Sequence, residues 1–190
     1  DIGAQHPISN NNTFILFQKG WEGINIDLDK RNIDLFNIAR PNDLNLNFAI
    51  SDSESVVDFF FYHDSSPINT LDKDVSNFQK AKVKEIKKIK TKPLNNILND
   101  LDFQNQIDYM NIDVEGYEDK VLKGFDIEKY KPSVISIEYL DLNLKKLEFK
   151  NNDINNLLNS NLYKYFNKNN YYFVNWLHGD LIFVHKDFRD

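Results

Sequence analysis

The feature that most constrains the fold is a repeated pattern in which a short apolar run ends in an acidic residue. The pattern occurs in GINIDLD (23–29), LNLNFAISD (44–52), IDYMNIDVEG (107–116) and PSVISIEYL (132–140). Short apolar runs are typical of strands buried on both faces, and segments with helical spacing of apolar residues lie between them. The sequence therefore predicts an α/β fold with a doubly wound, mostly parallel sheet of the Rossmann-like type.

The C-terminal segment YYFVNWLHGDLIFVHK (171–186) departs from this pattern. Its two apolar stretches flank a turn at Gly179–Asp180, which predicts an antiparallel hairpin at the edge of the sheet. We find no linker and no internal repeat, and 190 residues are enough for one core. We therefore expect a single domain over residues 1–190.

Composition argues against several classes of protein. A net charge of −6 speaks against nucleic acid as a partner, because phosphate binding needs clustered Lys and Arg. No apolar run approaches the roughly 18 residues of a membrane-spanning helix, so we expect no transmembrane segment. The absence of cysteine excludes a Cys nucleophile and a Cys-ligated zinc site. It also fits the cytoplasm, which is the compartment we expect.

Acidic residues follow the ends of the predicted strands: Asp1, Asp27, Asp52, Asp113 and Glu138. The carboxyl ends of parallel strands share one edge of a sheet, and ligands bind at that edge in folds of this type. Each acid taken singly fits a helix cap or a turn equally well. Together they predict a binding cleft.

The spacing of the first acids predicts an adenosine derivative as the ligand. Asp27 ends the second strand about 20 residues after the loop with Gly3, which is the position of a ribose-binding acid. Asp52 could meet an adenine amino group. A pyrophosphate needs a Gly-rich turn before a helix, whereas GAQHPIS (3–9) offers a single glycine. S-adenosylmethionine carries an amino-acid tail instead, so the loop favours a methyl donor over NAD.

The lysine-rich segment 78–92 fits two structures. Val83, Ile86 and Ile89 have helical spacing, whereas IKTKPL (89–94) equally fits a strand. The sequence leaves both interpretations open.

Several motifs, in order along the chain, resemble the FkbM family of S-adenosylmethionine-dependent methyltransferases. They are DIGAQHPISNNNTFILFQKGWEGINID (1–27), RP (40–41), LNLNFAISD (44–52), PINT (67–70) and IDYMNIDVEGYEDKVLKGFD (107–126) followed by KPSVISIE (131–138). The resemblance covers residues 1 to about 140, and the ending LIFVHKDF (181–188) fits it as well. It implies a class I methyltransferase sheet whose last strand is antiparallel.

The same resemblance implies roles for individual residues. Asp1, Gly3 and Ala4 would form the first cofactor loop, Asp27 would bind the ribose, Ser51 and Asp52 would lie beside the adenine, and Asp113 and Glu115 would form the floor of the reaction site. In the family, the hydrophobic body of the first strand precedes the loop. We therefore expect the chain to lack its N-terminal segment, with the first strand truncated.

Methyl transfer to a hydroxyl needs a group that accepts the hydroxyl proton. The candidate bases are His6, Asp113, Glu115 and Glu138. Histidine has an ordinary pKa near 6.5, which suits a base, but His6 equally fits a packing role in its loop. Asp113 also fits contact with the methionine amine, and Glu115 fits a cap of the following helix. Glu138 and Asp113 together could bind Mg²⁺, and metal dependence stays open.

The predicted function is O-methylation of a sugar or glycan hydroxyl, with S-adenosylmethionine as the cofactor. The family implies this acceptor class, whether the sugar is free, nucleotide-linked or lipid-linked. The predicted catalytic residues are His6, Asp113 and Glu115. Two alternatives stay open: an NAD-dependent oxidoreductase, which Asp27 alone would allow, and a non-catalytic module that binds S-adenosylmethionine. The sequence predicts no oligomeric state.

Overall fold

The structure, a computed structural model, describes residues 1–64, 66–139 and 154–189 and folds them into alternating strands and helices. The strands are β1 (Ile24–Asp27), β2 (Leu44–Asn47), β3 (Ala49–Ile50), β4 (Val56–Phe61), β5 (Glu85–Lys92), β6 (Tyr109–Ile112), β7 (Val134–Glu138), β8 (Tyr171–Leu177) and β9 (Asp180–His185). The helices are α1 (Phe14–Gln18), α2 (Lys30–Ala39), α3 (Lys73–Phe78), α4 (Leu94–Asp100), α5 (Glu118–Lys123), α6 (Ile127–Tyr130), α7 (Ile154–Asn159) and α8 (Asn161–Lys168). The predicted mixed α/β class is confirmed.

The main sheet has two parts that meet at Ile2. Strands β1 and β2 pair in parallel, and so do β6 and β7. Ile2 forms parallel bridges with Ile26 of β1 and Ile112 of β6, so it lies between the two parts. Its N–H donates to the carbonyl oxygen of Asn111 at 2.9 Å. The first loop of the chain therefore leaves the sheet at its centre.

The C-terminal hairpin forms the edge of this sheet, as predicted. Strands β8 and β9 pair antiparallel, and β9 also pairs antiparallel with β7. The turn consists of His178 and Gly179, one residue earlier than predicted, because Asp180 already pairs with Leu177 and with Glu138. The sheet therefore mixes parallel and antiparallel pairs.

A smaller sheet in the order β3–β5–β4 holds the lysine-rich segment. Strand β5 pairs in parallel with β3 and antiparallel with β4, so residues 85–92 form a strand and not a helix. The Nζ of Lys87 lies 3.9 Å from the ring centre of Phe61, and Lys88 pairs with Asp58 at 2.6 Å. Such contacts between neighbouring strands stabilise a sheet.

Apolar side chains of the central strands form the core. Five of them are completely buried: Ile112, Ile135, Ile137, Leu181 and Phe183. Phe166 of α8 stacks on Phe183 with 4.1 Å between ring centres, so α8 packs on the hairpin side of the sheet. The loops that follow these strands are therefore anchored to the buried core.

The helices are short. The spacing of apolar residues in NNDINNLLNSNLYKYFN (151–167) predicts one helix. The described part of it forms two helices, because the side chain of Ser160 accepts a hydrogen bond from the N–H of Tyr163 and caps α8. Residues 151–153 of that prediction lie outside the described residues. In the described ranges, no helix has the length and apolar character needed to cross a membrane.

Candidate active site

A cavity of about 110 Å³ opens at the carboxyl ends of β1 and β6. Four of the residues predicted for the site line it: Gly3, Asp27, Asp113 and Glu115. An apolar wall is formed by residues 48–50, which follow β2. The other predicted residues lie outside its lining: Asp1, Ala4, His6, Ser51 and Asp52. The structure thus brings part of the predicted set together around one space.

Gly3 brings the first loop against the loop that follows β6. Its φ of +79° lies in the region that favours glycine. A Cβ added here would lie 1.7 Å from the carbonyl oxygen of Asp113. The N–H groups of Gly3 and Ala4 both donate to the carbonyl oxygen of Ile26, at 2.9 and 3.1 Å. A residue without a side chain is therefore required at this position.

Asp27 is a buried carboxylate held by the first loop and by α2. Its Oδ2 accepts from the N–H of Gln5 at 2.8 Å. Its Oδ1 accepts from the N–H of Asp29 at 2.7 Å and from Nδ2 of Asn32 at 3.2 Å. Burial raises the pKa of Asp27, and the three hydrogen bonds act in the opposite direction. The carboxylate is therefore fixed in the cavity wall.

Asp1 orders the first loop instead of lining the cavity. Its Oδ1 accepts from Nδ2 of Asn111 at 3.0 Å. Its Oδ2 accepts from Nδ2 of Asn11 at 3.0 Å and from Oγ1 of Thr13 at 2.8 Å. Contact between Asp1 and a cofactor stays a prediction, as does the one expected for Ala4, whose carbonyl oxygen accepts from Asn11.

Arg40 is a positioning residue for the same loop, and the sequence reasoning assigned it no role. It is 1% exposed. Its guanidinium donates to the carbonyl oxygen of Pro7, to Oδ1 of Asn11 and to Oγ1 of Thr13, at 2.9, 2.6 and 2.9 Å. The guanidinium also lies 5.0 Å from the ring centre of Phe36. In the sequence, Arg40 stands out only through the motif RP (40–41), and this motif does not indicate that Arg40 contacts the first loop.

His6 accepts two hydrogen bonds from its own loop. Its Nδ1 accepts from the N–H of Ile8 at 3.1 Å and of Ser9 at 3.0 Å. A neutral imidazole that accepts at Nδ1 carries its proton at Nε2, so neither nitrogen is ready to take a further proton. This geometry supports the packing interpretation, and the role of His6 as a base stays a prediction.

Three carboxylates converge beside the cavity. Oxygens of Asp113, Glu115 and Glu138 lie within 4.8 Å of one another. Burial raises the pKa of each of them, and the charges of the neighbouring acids raise it further. A carboxylate with a raised pKa is a stronger base. The same oxygens are the type of ligand that Mg²⁺ prefers, so this cluster is also where a divalent cation could be held.

Glu118 holds the turn that carries these acids, and the sequence reasoning missed it. Its Oε1 accepts from the N–H of Val114 at 3.0 Å and of Gly116 at 3.2 Å. Glu118, and not Glu115, therefore caps this turn. Glu115 has a φ of 56°, and its carbonyl oxygen accepts from Oγ1 of Thr70 at 2.6 Å. A positive φ in a residue other than glycine is strained and is frequent at functional sites.

Ser51 and Asp52 lie beside α5. The Oδ2 of Asp52 accepts from Nζ of Lys120 at 2.7 Å, and this bond lowers the pKa of Asp52. Ser51 Oγ donates to Oδ1 of Asp52 at 3.2 Å. Both side chains are thus engaged away from the cavity, and their contact with an adenine stays a prediction.

Two further residues line the cavity with unpaired polar atoms. Asn32 is 4% exposed and Ser66 is 6% exposed. Among the residues that the structure describes, the Oδ1 of Asn32 and the Oγ of Ser66 have no hydrogen-bond partner. Buried polar atoms are nearly always paired, so these two indicate a place where a ligand supplies the missing partner.

Comparison with known proteins identifies a family. Residues 1–165 match the family model described as methyltransferase FkbM domain. No curated protein and no solved structure gives a match. The matched range is well over half of the chain and includes the first loop, the turn after β6 and the strand β7.

Proposed function

This chain belongs to the FkbM methyltransferase family, and we propose that it is an S-adenosylmethionine-dependent O-methyltransferase acting on a hydroxyl of a sugar or glycan. The observation that carries the proposal is the cavity that has Gly3 and Asp27 on one side and Asp113 and Glu115 on the other. Ligands of open α/β sheets bind at this edge. Membership of a methyltransferase family sets the oxidoreductase alternative aside.

The order of the main sheet supports a class I methyltransferase architecture. From one edge the order is β2, β1, Ile2, β6, β7, β9 and β8. The strands up to β7 are parallel, and β9 runs antiparallel between β7 and β8. An antiparallel strand at this place is what the family resemblance implies.

The residues around the cavity fit an adenosine-containing cofactor. Asn32 Oδ1 and Ser66 Oγ lack partners that hydroxyl or amino groups would supply. Asp27 would bind the ribose, and the backbone at Gly3–Ala4 would approach the amino-acid tail. The cavity of about 110 Å³ is smaller than the several hundred Å³ of a typical ligand pocket. A bound cofactor would therefore extend along the rim toward the acidic cluster.

The acidic cluster would supply the proton acceptor. When bound, S-adenosylmethionine supplies a methyl group on a positively charged sulfur. Asp113 or Glu115 would accept the proton that the acceptor hydroxyl releases as its oxygen is methylated, and would pass it to solvent. Burial raises the pKa of both carboxylates, so each holds a proton better than an exposed acid does, and transfer needs the ionised form, which predominates above about pH 7 for Asp113 and above about pH 8 for Glu115. Where Asp113 instead neutralises the methionine amine, Glu115 is the proton acceptor, and Glu138 completes the set that could bind Mg²⁺.

The experiment has a binding step and a transfer step. The first is calorimetry with S-adenosylhomocysteine, the demethylated form of the cofactor, for which we expect one site per chain. The second is a screen with methyl-labelled S-adenosylmethionine against free, nucleotide-linked and lipid-linked sugars, with and without EDTA. We expect a mass increase of one methyl group on a hydroxyl, and its loss in Glu115→Gln.

The outcomes separate the alternatives. Absence of binding by folded protein would overturn the proposal. Binding without transfer to any hydroxyl acceptor would indicate the non-catalytic module. Loss of transfer in EDTA, with recovery on adding Mg²⁺, would assign a metal to the acidic cluster. The cytoplasm as the working compartment belongs to the same proposal, and fractionation of cells would test it.

A further inference from the structure

We propose that Asn32 is a cofactor-binding residue that shares the recognition of the ribose diol with Asp27. The inference rests on the proposed function and adds to it a residue that determines specificity for ribose over deoxyribose. The carboxylate of Asp27 has few positions left at which it can accept a hydrogen bond.

Asp27 alone is short of acceptors for two ribose hydroxyls. A carboxylate has about four lone-pair positions. Three are used by the N–H groups of Gln5 and Asp29 and by Nδ2 of Asn32. One position is left, on Oδ2, so a second hydroxyl needs another acceptor close by.

Asn32 offers that acceptor. The carboxylate of Asp27 can only accept, so the amide must present Nδ2 to it and turn Oδ1 away. Oδ1 is buried without a partner in a side chain that lines the cavity and is 4% exposed. The bond of 3.2 Å between Asn32 and Asp27 keeps the two acceptors side by side, as the adjacent hydroxyls of a ribose require.

The neighbouring acid is already paired with a cation. Asp29 lines the same part of the cavity, but it is engaged by one arginine. Its Oδ1 accepts from the N–H and Nε of Arg31, at 3.0 and 3.1 Å, and its Oδ2 accepts from Nη2 at 2.8 Å. Asn32 is therefore the buried acceptor beside Asp27 that the described structure leaves unsatisfied.

The test is a cycle of ligand and protein changes. S-adenosylhomocysteine and its 2′-deoxy and 3′-deoxy analogues are titrated by calorimetry into the wild type and into Asn32→Ala. We expect the wild type to bind at least one analogue roughly tenfold more weakly than the parent, the effect of one buried hydrogen bond. Asn32→Ala should bind the parent about as weakly and should no longer distinguish that analogue from it.

Controls keep the test decisive. Asn37→Ala removes an exposed asparagine from the same helix and should leave all three affinities unchanged. If Asn32→Ala fails to fold, Asn32→Ser is used in the same cycle. The inference is wrong if the wild type binds both analogues like the parent, or if the Asn32 variants distinguish them as the wild type does. Failure of the folded wild type to bind S-adenosylhomocysteine would instead remove the proposed function, and this inference with it.

Discussion

The carbonyl oxygen of Asp113 occupies the space that a side chain on Gly3 would need. An added Cβ would lie 1.7 Å from that oxygen, and Gly3 has a φ of +79°. This contact joins the first loop to the turn that carries the acidic cluster. The geometry of the whole candidate site therefore depends on a glycine at position 3.

Gly3→Ala should destabilise the protein and abolish cofactor binding. Backbone atoms must move to admit the methyl group, so we expect a loss of about 3 kcal/mol or more in the free energy of unfolding. Urea unfolding and calorimetry with S-adenosylhomocysteine measure the two effects. Gly20→Ala is the matched control, because Gly20 also has a positive φ of 84° but no atom lies within 4 Å of an added Cβ. It should cost only the 1–2 kcal/mol of the left-handed backbone. Equal losses in the two variants would contradict the steric argument.

Arg40→Lys should loosen the first loop. A lysine keeps the charge but cannot reach three separated acceptors with fixed geometry, so buried acceptors of the loop lose their partners. We expect a loss of about 3 kcal/mol in the free energy of unfolding and weaker binding of S-adenosylhomocysteine. Arg31→Lys is the control: Arg31 lies in the first turn of α2, Arg40 directly follows its last residue, and the side chain of Arg31 is 47% exposed. If the two variants behave alike, the contacts of Arg40 with the loop are not important.

Stability should fall as the pH rises through neutrality. In the unfolded chain the cluster acids titrate near their ordinary values of 3.8 and 4.5, whereas burial raises the pKa of Asp113 to about 7 and of Glu115 to about 8. Between these values the folded state binds more protons than the unfolded chain. The contribution of these acids to the free energy of unfolding is therefore greatest below about pH 4 and is lost as the pH rises through about 7 to 8.

The measurement for this prediction is urea unfolding between pH 5 and pH 8.5 in EDTA. We expect a decrease on the order of a few kcal/mol. Glu115→Gln should flatten the curve, since it removes one titrating carboxyl group. Glu128→Gln, at an exposed acid on α6, should not. A stability that is constant or rises over this range would contradict the burial of the cluster.

Local sequence patterns predicted most of the strands, because most of them are short apolar runs with their own boundaries. The run LNLNFAISD (44–52), predicted as one strand, is divided into β2 and β3, which lie in different sheets. The patterns were ambiguous where pairing with other strands decides between helix and strand. The spacing of Val83, Ile86 and Ile89 fits a helix, but pairing with β3 and β4 on both sides makes residues 85–92 a strand. Ser160 divides a helix whose apolar spacing runs through it, because its side chain caps the next turn.

Residues of the candidate site were predictable where their position at the end of a strand is enough to place them in it. Asp27 and Asp113 lie at strand ends, and the edge of the sheet brings them to one cavity. Asp52 also follows a strand, but Lys120, which is distant in sequence, pairs with it outside that cavity. Arg40 acts through side-chain contacts with Pro7 and Asn11, which are distant in sequence. The contact of Asn32 with Asp27 is local, but it depends on how α2 begins after β1, which the spacing of apolar residues does not encode.

Asp27→Asn and Asp52→Asn should differ in their effect on cofactor binding. Asp27 lines the cavity, and an amide there offers fewer acceptors to its neighbours and to a ribose. We expect a loss of tenfold or more in the affinity for S-adenosylhomocysteine. Asp52→Asn weakens only a partly exposed ion pair, so its affinity should stay within about twofold of the wild type. A large loss in Asp52→Asn would restore the predicted adenine contact.

His6→Asn separates the two roles of His6. The Oδ1 of asparagine can accept from the N–H groups of Ile8 and Ser9 as Nδ1 does, but asparagine cannot act as a base. If His6 only holds its loop, the methylation rate of this variant should stay within a few-fold of the wild type. Glu115→Gln should lower the rate about 100-fold or more, because it removes a proton acceptor. Rates are compared at saturating cofactor, with affinity measured separately. A 100-fold loss in His6→Asn with unchanged affinity would make His6 the base, either through Nδ1 after the N–H groups of Ile8 and Ser9 release it, or through Nε2 after its proton moves to Nδ1.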